Sequence, residues 1–389
     1  MFRILTQITI IFLFLVSLLG SLSGCASTAA PKKDASMVFY PAPPQLPRYQ
    51  FLHSYTNSND IEPDQSKFEV FVSQQERATK WLLKPFGIAM HNGKIYVADT
   101  NATVQVIDLV NKRMDPMEGT KGLGKVVQPI NLSIDDDGNK YVADPIRGQV
   151  VVYDKNDFYI KAIGIAGVWK PVDVTVFEDR IYVVDAKNLE IRVFDKSSGE
   201  LVKKIGQKGD KEERLGLPTN IAVDRKGTLF VTDAGRFQLV KYDRDGHYLG
   251  SIGSAGQNPG YFARPRGLDI DRDGRIYVAD AAFDNVQVFN QDGQLLVFFG
   301  GPGREAGNLY LAADVYIDYD PANIALFKDY ADPNFEIEYL VLVSSQFGKR
   351  LVNVYAYGQV KGQQYPSEQE LIDKAKERLE QFKGESVPE

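Results

Sequence analysis

Short runs in which apolar and polar residues alternate follow one another along most of this chain, and five stretches are so alike that they form a repeat. Each repeat opens with a proline and an alternating run, and a second run ends in aspartate 14 or 15 residues after the proline. Alternation with a period of two predicts β-strands. The proline–aspartate pairs are Pro85 and Asp99, Pro129 and Asp144, Pro171 and Asp185, Pro218 and Asp233, and Pro265 and Asp280.

Two further strands complete each repeat. A third run follows the aspartate, and a fourth often ends in glycine, as in Leu201–Gly206 and Leu295–Gly300. Pairs such as Asp137-Gly138 and Asp273-Gly274 stand between runs and favour tight hairpin turns. The prolines lie 42 to 47 residues apart, and four short strands per period of that length are typical of one blade of a β-propeller.

The sequence predicts six blades, of which the last is degenerate. Residues 312–317 replace the proline strand, residues 339–345 replace the second strand with Ser345 at the aspartate position, and residues 351–355 form the third. This unit lacks a fourth strand, whereas Tyr49–Tyr55 has the pattern of a strand without a blade. We therefore expect residues 48–55 to close the last blade and cover its open edge. The predicted fold is all-β, a six-bladed β-propeller over residues 48–358.

The repeats resemble those of NHL-repeat propellers, and the resemblance covers roughly residues 48–358. It implies six blades around a central channel. It does not imply one function, because this fold is used by binding modules, lyases, lactonases and RNA readers. NHL lipoproteins of this layout resemble accessory proteins of envelope redox or assembly systems, and the resemblance implies such an association here. The chain has no Cys-x-x-Cys-His haem motif, so we do not expect it to carry electrons itself.

Residues 1–24 have the features of a bacterial export signal, with Arg3 near the start and an apolar stretch over Ile8–Leu19. That stretch is shorter than the roughly 20 residues that a transmembrane helix needs. The signal ends in Leu22-Ser-Gly-Cys25, which resembles the lipobox of bacterial lipoproteins, in which the cysteine thiol accepts a diacylglycerol. The sequence therefore predicts lipidation of Cys25 and membrane anchoring in the cell envelope.

The residues after Cys25 refine this location. Ala26, and not an aspartate, follows the cysteine. By resemblance to other bacterial lipoproteins, this implies the outer membrane if the cell is Gram-negative. Residues 25–47 are rich in alanine, serine, lysine and proline, which favours a flexible tether.

A helix is predicted after the propeller, within residues 359–389. Ser367 and Glu370 have the spacing of a capping box. Apolar residues then recur at helical spacing at Leu371, Ala375, Leu379 and Phe382. The sequence is consistent with a helix that packs on the rim of the propeller and with one that docks another protein, and we favour the first.

Composition narrows the function. The net charge is −6, and no basic face is evident that could neutralise phosphates, so we expect no nucleic-acid partner. Cys25 is the single cysteine, so the folded part has no disulfide, thiolate cluster or cysteine nucleophile. The chain has three histidines, at His53, His91 and His247. We expect neither a cofactor nor a bound metal.

Two acidic patterns could indicate sites. The aspartate that ends each second strand recurs in every repeat, which favours a structural role in fixing the following turn over a catalytic role. The run from Asp269 through Asp271 and Asp273 to Asp280 has spacing similar to that of an EF-hand calcium loop. Predicted strands flank this run where an EF-hand needs helices, so we interpret it as a hairpin turn.

Positions that differ between repeats are better candidates for a site. In a propeller, the starts of the innermost strands and the turns between second and third strands share one face. We expect Arg266 at this channel mouth, with Arg236, Phe237 and Phe283 on neighbouring turns. The residues two positions after each proline should ring the channel, and these are Gly87, Asn131, Asp173, Asn220 and Gly267, with Asp314 at the equivalent place.

Such a ring could form a recognition surface, or it could be a channel filled with ordered water. We favour a non-enzymatic binding or scaffold module whose partner is a protein, peptide or polysaccharide. The alternative is a metal-dependent hydrolase or lyase with its site on the axis. By resemblance, a lyase would need histidines near the axis and a lactonase a matching glutamate, and the sequence supplies neither pattern.

Overall fold

The computed structural model describes residues 37–101, 103–207, 210, 212–367, 369–370 and 372–373. The predicted signal peptide, Cys25 and the beginning of the predicted tether lie outside the described residues. So do Leu371, Ala375, Leu379 and Phe382, the apolar positions of the predicted C-terminal helix.

Six small antiparallel sheets build the described chain, which confirms the predicted all-β, six-bladed propeller. Alternating apolar residues give each sheet two apolar faces, and each face packs against a neighbouring sheet. Before the first complete sheet come β1 (Phe39–Tyr40), β2 (Tyr49–Tyr55) and helix α1 (Lys67–Ser73).

We name the sheets blades A to F, and five of them consist of four consecutive strands. Blade A contains β3 (Pro85–His91), β4 (Lys94–Asp99), β5 (Thr103–Asp108) and β6 (Arg113–Pro116), and blade B contains β7 (Asn131–Ile134), β8 (Lys140–Asp144), β9 (Gln149–Tyr153) and β10 (Tyr159–Ile163). Blade C contains β11 (Pro171–Phe177), β12 (Arg180–Asp185), β13 (Glu190–Asp195) and β14 (Leu201–Ile205). Blade D contains β15 (Pro218–Val223), β16 (Leu229–Asp233), β17 (Gln238–Tyr242) and β18 (Tyr248–Ile252), and blade E contains β19 (Pro265–Ile270), β20 (Ile276–Asp280), β21 (Asn285–Phe289) and β22 (Leu295–Gly300).

Blade F combines both ends of the described chain. Its inner strands are β23 (Ala312–Asp318), β24 (Phe335–Ser345) and β25 (Val352–Val360), and helix α2 (Pro321–Ala325) lies between β23 and β24. The fourth strand is β2, which pairs with β25 so that Tyr49 lies opposite Tyr357. Strand β1 adds a fifth.

The structure differs from the prediction over residues 37–47, which the sequence assigned to a flexible tether. Phe39 and Tyr40 form β1 and pair with Gln50 and Tyr49. Both aromatic side chains pack into the core, Phe39 beside blade A and Tyr40 beside blade E. A strand of two residues is too short to show an alternating pattern in the sequence. The packing of its two aromatic side chains into the core holds it in place.

The ring is closed, because the innermost strands contact one another in turn and β23 of blade F contacts β3 of blade A. Apolar side chains fill each of the six spaces between neighbouring blades. We call the side at which the innermost strands begin the upper face. The turns between second and third strands and the connections between consecutive blades lie on this face, and the remaining turns lie on the lower face.

The chain beyond β25 is fixed to blade F as far as Pro366. The Tyr365 hydroxyl accepts a hydrogen bond from the Val360 amide and donates one to the Pro47 carbonyl, and Arg48 lies 4.3 Å above the Tyr365 ring. Ser367 and Glu370 make the reciprocal hydrogen bonds of a capping box. Within the part of the chain that the structure describes, no helix is both long and apolar enough to cross a membrane.

Candidate functional site

The upper mouth of the channel is shaped by a β-bulge near the start of five of the innermost strands, those of blades A, C, D, E and F. A bulge turns side chains away from simple alternation. The residues one position after the proline therefore face the channel, and we call them the collar. The collar consists of Phe86, Ile130, Val172, Thr219, Arg266 and Ala313.

The collar surrounds a cavity of about 170 Å³, which polar side chains also line. Asn131, Asn220, Asp314 and Arg266 line this cavity, as the sequence predicted for the channel mouth. Asp173 belongs to the same ring of positions but is buried behind it.

Two glycines in this ring permit neighbouring blades to approach closely. A Cβ atom on Gly87 would lie 1.9 Å from Asn131 Oδ1, and one on Gly267 would lie 2.1 Å from Asp314 Oδ1. Neither distance is compatible with a side chain, so the glycines are required by the packing of blade A on B and of blade E on F.

Asp173 and Asp314 link neighbouring blades. Asp173 accepts hydrogen bonds from the amide of Val174 in its own strand at 2.7 Å and from the amide of Ile221 in blade D at 2.8 Å. Asp314 accepts one from the amide of Ile88 in blade A at 3.1 Å. The two acids therefore hold the inner edges of blades C and D and of blades F and A together.

Burial raises the pKa of both acids. Burial raises the pKa of Asp173 to about 7, although its backbone hydrogen bonds act in the opposite direction. Burial also raises the pKa of Asp314 well above its usual value, with a further contribution from the charge of Asp173. Carboxyl oxygens that already accept hydrogen bonds from backbone amides are poorly placed to bind a metal ion, and a raised pKa disfavours the charged form, so the ring has the properties of a structural joint.

A third axial acid, Asp269, was missed as a member of this group. It accepts hydrogen bonds from the amides of Ile270 and Ile317, both at 2.8 Å, and so links blade E to blade F. Burial raises its pKa to about 7. The sequence contains a signal for it, because an acid stands four positions after Pro265 where the other repeats have small residues.

Arg266 and Lys84 make the mouth basic. The Arg266 guanidinium lies 5.4 Å from the centre of the Phe86 ring, and the Lys84 ammonium lies 5.9 Å from that ring and 5.8 Å from the ring of Phe347. Burial, together with the charge of Arg264, lowers the pKa of Arg266 to about 10. Arg266 therefore remains charged at neutral pH.

Three predicted site residues lie on the upper face but not in the lining of the axial cavity. Arg236 braces a connection, with its Nε 3.7 Å from Asp233 and its Nη1 donating to the Glu212 carbonyl. Phe237 has a left-handed backbone and packs against the core between blades D and E. Phe283 is half-buried in the turn that follows β20. These side chains therefore lie on the turns and connections that neighbour the mouth, as expected, and do not line the cavity itself.

The aspartates that end the second strands have structural partners. Asp144, for example, accepts hydrogen bonds from the amides of Val127 and Gln128 before the blade and of Ile146 and Arg147 in the following turn. Each such carboxylate thus joins the entry to a blade to its upper turn.

The three histidines lie far apart in the fold. His53 lies on β2, whereas His91 and His247 lie on the lower face, in blades A and D. No group of three or more His, Cys, Asp or Glu side chains within the described chain is arranged to hold a metal ion. In the calcium-like run, Asp271 bonds the amides of Asp273 and Arg275 as in a hairpin turn.

A larger cleft of about 850 Å³ opens at the lower side between blades E and F. Tyr49, Tyr357 and Leu295 are among its mostly apolar lining residues. The arginines at its wall are engaged elsewhere, Arg48 with the Pro366 carbonyl and Arg275 with Asp271. The cleft therefore offers apolar surface without the free charge found at the axial mouth.

The two faces differ in exposed apolar side chains. Within the described chain, the turns and connections of the lower face expose Val110, Phe158, Leu326 and Tyr330. Those of the upper face expose many more, namely Leu83, Leu123, Val127, Ile146, Ile165, Val168, Leu189, Leu217, Tyr261, Tyr310 and Phe347. A concentration of this kind on one face is typical of a surface that contacts another molecule.

Comparison with protein families supports the same architecture. A family model described as a 6-bladed beta-propeller matches residues 168–254 and 211–297. These residues contain blades C and D and all of blade E except the end of its last strand, and the repeat is regular in this region.

Several solved structures are similar to this chain. A structural genomics protein of unknown function from Bacteroides thetaiotaomicron is 17% identical, with a TM-score of 0.56 over 79% of this chain and 75% of that one. A putative gluconolactonase is 12% identical, with a TM-score of 0.51 over 73% and 91%. A streptogramin B lyase is 12% identical, with a TM-score of 0.50 over 72% and 84%. At such low identity the similarity shows a shared fold and says nothing about activity.

Proposed function

We propose that this protein is a non-enzymatic binding module of the bacterial cell envelope, anchored by a lipid on Cys25, that engages a protein partner with the upper face of its propeller. The observation that carries the proposal is the concentration of exposed apolar side chains around a basic axial mouth. An apolar surface with a few charged groups has the composition of a protein-binding patch. The proposed association with an envelope redox or assembly system follows only from the resemblance to NHL lipoproteins.

The arrangement of the axial acids favours binding over hydrolysis. A metal-dependent hydrolase needs ionised carboxylates or histidines that point at a common centre. Here Asp173 and Asp314 accept backbone hydrogen bonds between blades, and burial raises the pKa of both. Elemental analysis of the purified protein tests this point. We expect less than stoichiometric metal, and one tightly held divalent ion per chain would support the hydrolase or lyase instead.

Capture from intact envelopes tests the role of the upper face. The double variant Ile146→Asp/Ile165→Asp places two charges in upper turns, where both side chains are exposed. The matched control, Val110→Asp/Phe158→Asp, places two charges on the lower face. We expect the upper variant to lose the partner that the wild type captures and the control to retain it. Equal capture by both variants would contradict the proposal.

A further inference from the structure

Arg266 carries the one charge of the collar, and it has no counterion within the described chain. No described carboxylate lies within 4.0 Å of its guanidinium, and the group donates no hydrogen bond to a described residue; its close contact is the Phe86 ring. Removing a charge from water without pairing it costs free energy. A partly buried guanidinium at the wall of a cavity is therefore ready to accept an anion.

The neighbouring acid does not fill this role. Asp314 lines the same cavity, but its carboxyl group is hydrogen-bonded to the Ile88 amide in blade A. Burial raises the pKa of Asp314 well above its usual range, which favours the uncharged carboxyl and reduces its repulsion of an incoming anion. Lys84 adds a second positive charge beside Phe86 and Phe347. The mouth is thus locally basic although the chain has a net charge of −6.

The rest of the collar selects what the anion is attached to. Phe86, Ile130, Val172 and Ala313 are apolar, and the surface of the cavity is mostly apolar although Thr219, Asn131 and Asn220 contribute polar atoms. The hydroxyl groups of a sugar would therefore exchange their hydrogen bonds to water for few partners on entering. The cavity holds about 170 Å³, which is below the 300 to 1,000 Å³ typical of drug-sized ligands. A single apolar residue with a carboxylate fits these limits.

We propose that the axial cavity binds the C-terminal carboxylate of a peptide or protein whose last side chain is apolar, with Arg266 pairing with the carboxylate and the collar enclosing the side chain. The inference rests on the proposed use of the upper face for binding a protein. A guanidinium suits this task because its planar fork can donate two hydrogen bonds to one carboxylate. An aspartate or glutamate inside a polypeptide would offer Arg266 the same charge. It would place only its methylene groups against the collar, whereas a C-terminal residue also offers a whole apolar side chain.

Titration calorimetry on the purified propeller tests the inference with defined probes. N-acetyl-Gly-Gly-Leu with a free carboxylate should bind. The same peptide with a C-terminal amide should bind with an affinity at least about tenfold lower. Arg266→Gln should lower the affinity for the peptide with a free carboxylate by about tenfold, whereas Arg266→Lys should retain part of that affinity. The control Arg272→Gln removes one exposed positive charge from the lower face and should leave binding unchanged.

Other results would overturn the inference. Equal binding of the acid and the amide would exclude recognition of the terminal carboxylate, and so would an equal loss in Arg266→Gln and Arg272→Gln. If an amidated peptide with an internal glutamate binds more tightly than N-acetyl-Gly-Gly-Leu, the cavity recognises an acidic side chain instead. If trigalacturonate binds more tightly, the cavity recognises a polysaccharide. If no probe binds but partner capture still depends on Ile146 and Ile165, this inference fails while the proposed function stands.

Discussion

Blades A to E and blade F bury their outermost strands to very different extents. In blade C the fourth strand is an exposed edge, with Ile205 buried and Leu201 45% exposed. In blade F, β2 occupies the same place but buries Tyr49, Leu52 and Tyr55. The difference arises because β1 and the connection that contains α2 cover β2, whereas nothing in the described chain covers β14 in this way.

A chain of buried hydroxyl groups adds to this contrast. Tyr339 donates a hydrogen bond to Asp271 at 3.0 Å, so its oxygen accepts from Tyr277 at 2.5 Å, which in turn accepts from Tyr49 at 2.8 Å. The chain alternates between two blades, because Tyr49 and Tyr339 belong to blade F whereas Tyr277 and Asp271 belong to blade E, so it joins β2 directly to blade E. The ring is therefore locked where the repeat is weakest in the sequence, because the two ends of the propeller meet there.

Removal of the closing strand should have the largest effect. A chain that begins at Thr56 lacks β1 and β2 and exposes the apolar face of β25, while a control chain that begins at Met37 keeps both strands. The loss of three large buried side chains alone should lower the free energy of unfolding by roughly 5 kcal/mol or more, which is comparable to the free energy of unfolding of a whole domain. We expect the shorter chain to lose its cooperative thermal transition, as measured by circular dichroism. Equal melting temperatures for both chains would show that β1 and β2 do not stabilise the ring.

A single truncation should show the same contrast on a smaller scale. Leu52→Ala removes a buried side chain from β2 and should lower the free energy of unfolding by about 3 kcal/mol. Leu201→Ala removes an exposed side chain from the equivalent strand of blade C and should cost less than about 1 kcal/mol. Denaturant titration measures both. If the two substitutions cost the same, the outermost strands are equivalent after all.

The hydroxyl chain can be tested by removing one oxygen atom. Tyr339→Phe removes one hydrogen bond to the buried Asp271 carboxylate, which keeps that of Arg275, and we expect the free energy of unfolding to fall by about 2 kcal/mol. Tyr49→Phe removes the hydroxyl at the far end of the chain and should cost about 1 kcal/mol. Chemical denaturation should rank the two variants in this order, and the reverse order would show that the chain does not run toward Asp271.

The axial acids predict a dependence of stability on pH. Asp173 and Asp269 have pKa values of about 7 in the folded protein, compared with about 4 in an unfolded chain. Between these values the folded protein holds protons that the unfolded chain releases, so stability falls as the pH rises from 4 to 7. Each acid contributes a slope of up to about 1.4 kcal/mol per pH unit.

Asp173→Asn should remove the contribution of this acid to the slope. The amide nitrogen of asparagine cannot accept one of the two backbone hydrogen bonds that Asp173 accepts, so the variant is also destabilised at every pH, and only the slope is compared. The control is Asp195→Asn at an exposed turn. The hydrogen bonds of Ser197 and Ser198 lower the pKa of Asp195 to about 2, so this carboxyl stays ionised over the same pH range. Unfolding titrations at pH 5, 6 and 7 compare the variants, and an unchanged slope in Asp173→Asn would show that Asp173 is already ionised in the folded protein.

The sequence predicts the regular parts of the fold because each blade repeats the same local signals. The prolines and strand-end aspartates fix where strands begin and end, and the predicted six-bladed propeller is confirmed. Strand β1 was not predictable, since Phe39 and Tyr40 are ordered by contacts with blades A and E that are distant in sequence.

The site was predictable only in part, for a related reason. Positions relative to the proline correctly placed Asn131, Asn220, Asp314 and Arg266 at the cavity. The bulges in the innermost strands break the alternation, so counting along the chain cannot show which side chains face the axis and which face the next blade. Asp269 was missed for this reason. The partners of Arg236 could not be predicted either, because they lie in a connection whose path depends on the neighbouring blade.

Photocrosslinking in intact envelopes can show whether the upper face is the surface that contacts the partner. A photoreactive phenylalanine derivative replaces Phe347, which is 46% exposed on the upper face, or Phe158, which is 58% exposed on the lower face. Both positions carry phenylalanine in the protein, so the replacements are matched. We expect a discrete adduct of higher mass from position 347 and none from position 158. An adduct from position 158 alone, or equal adducts from both, would show that the partner does not bind through the upper face.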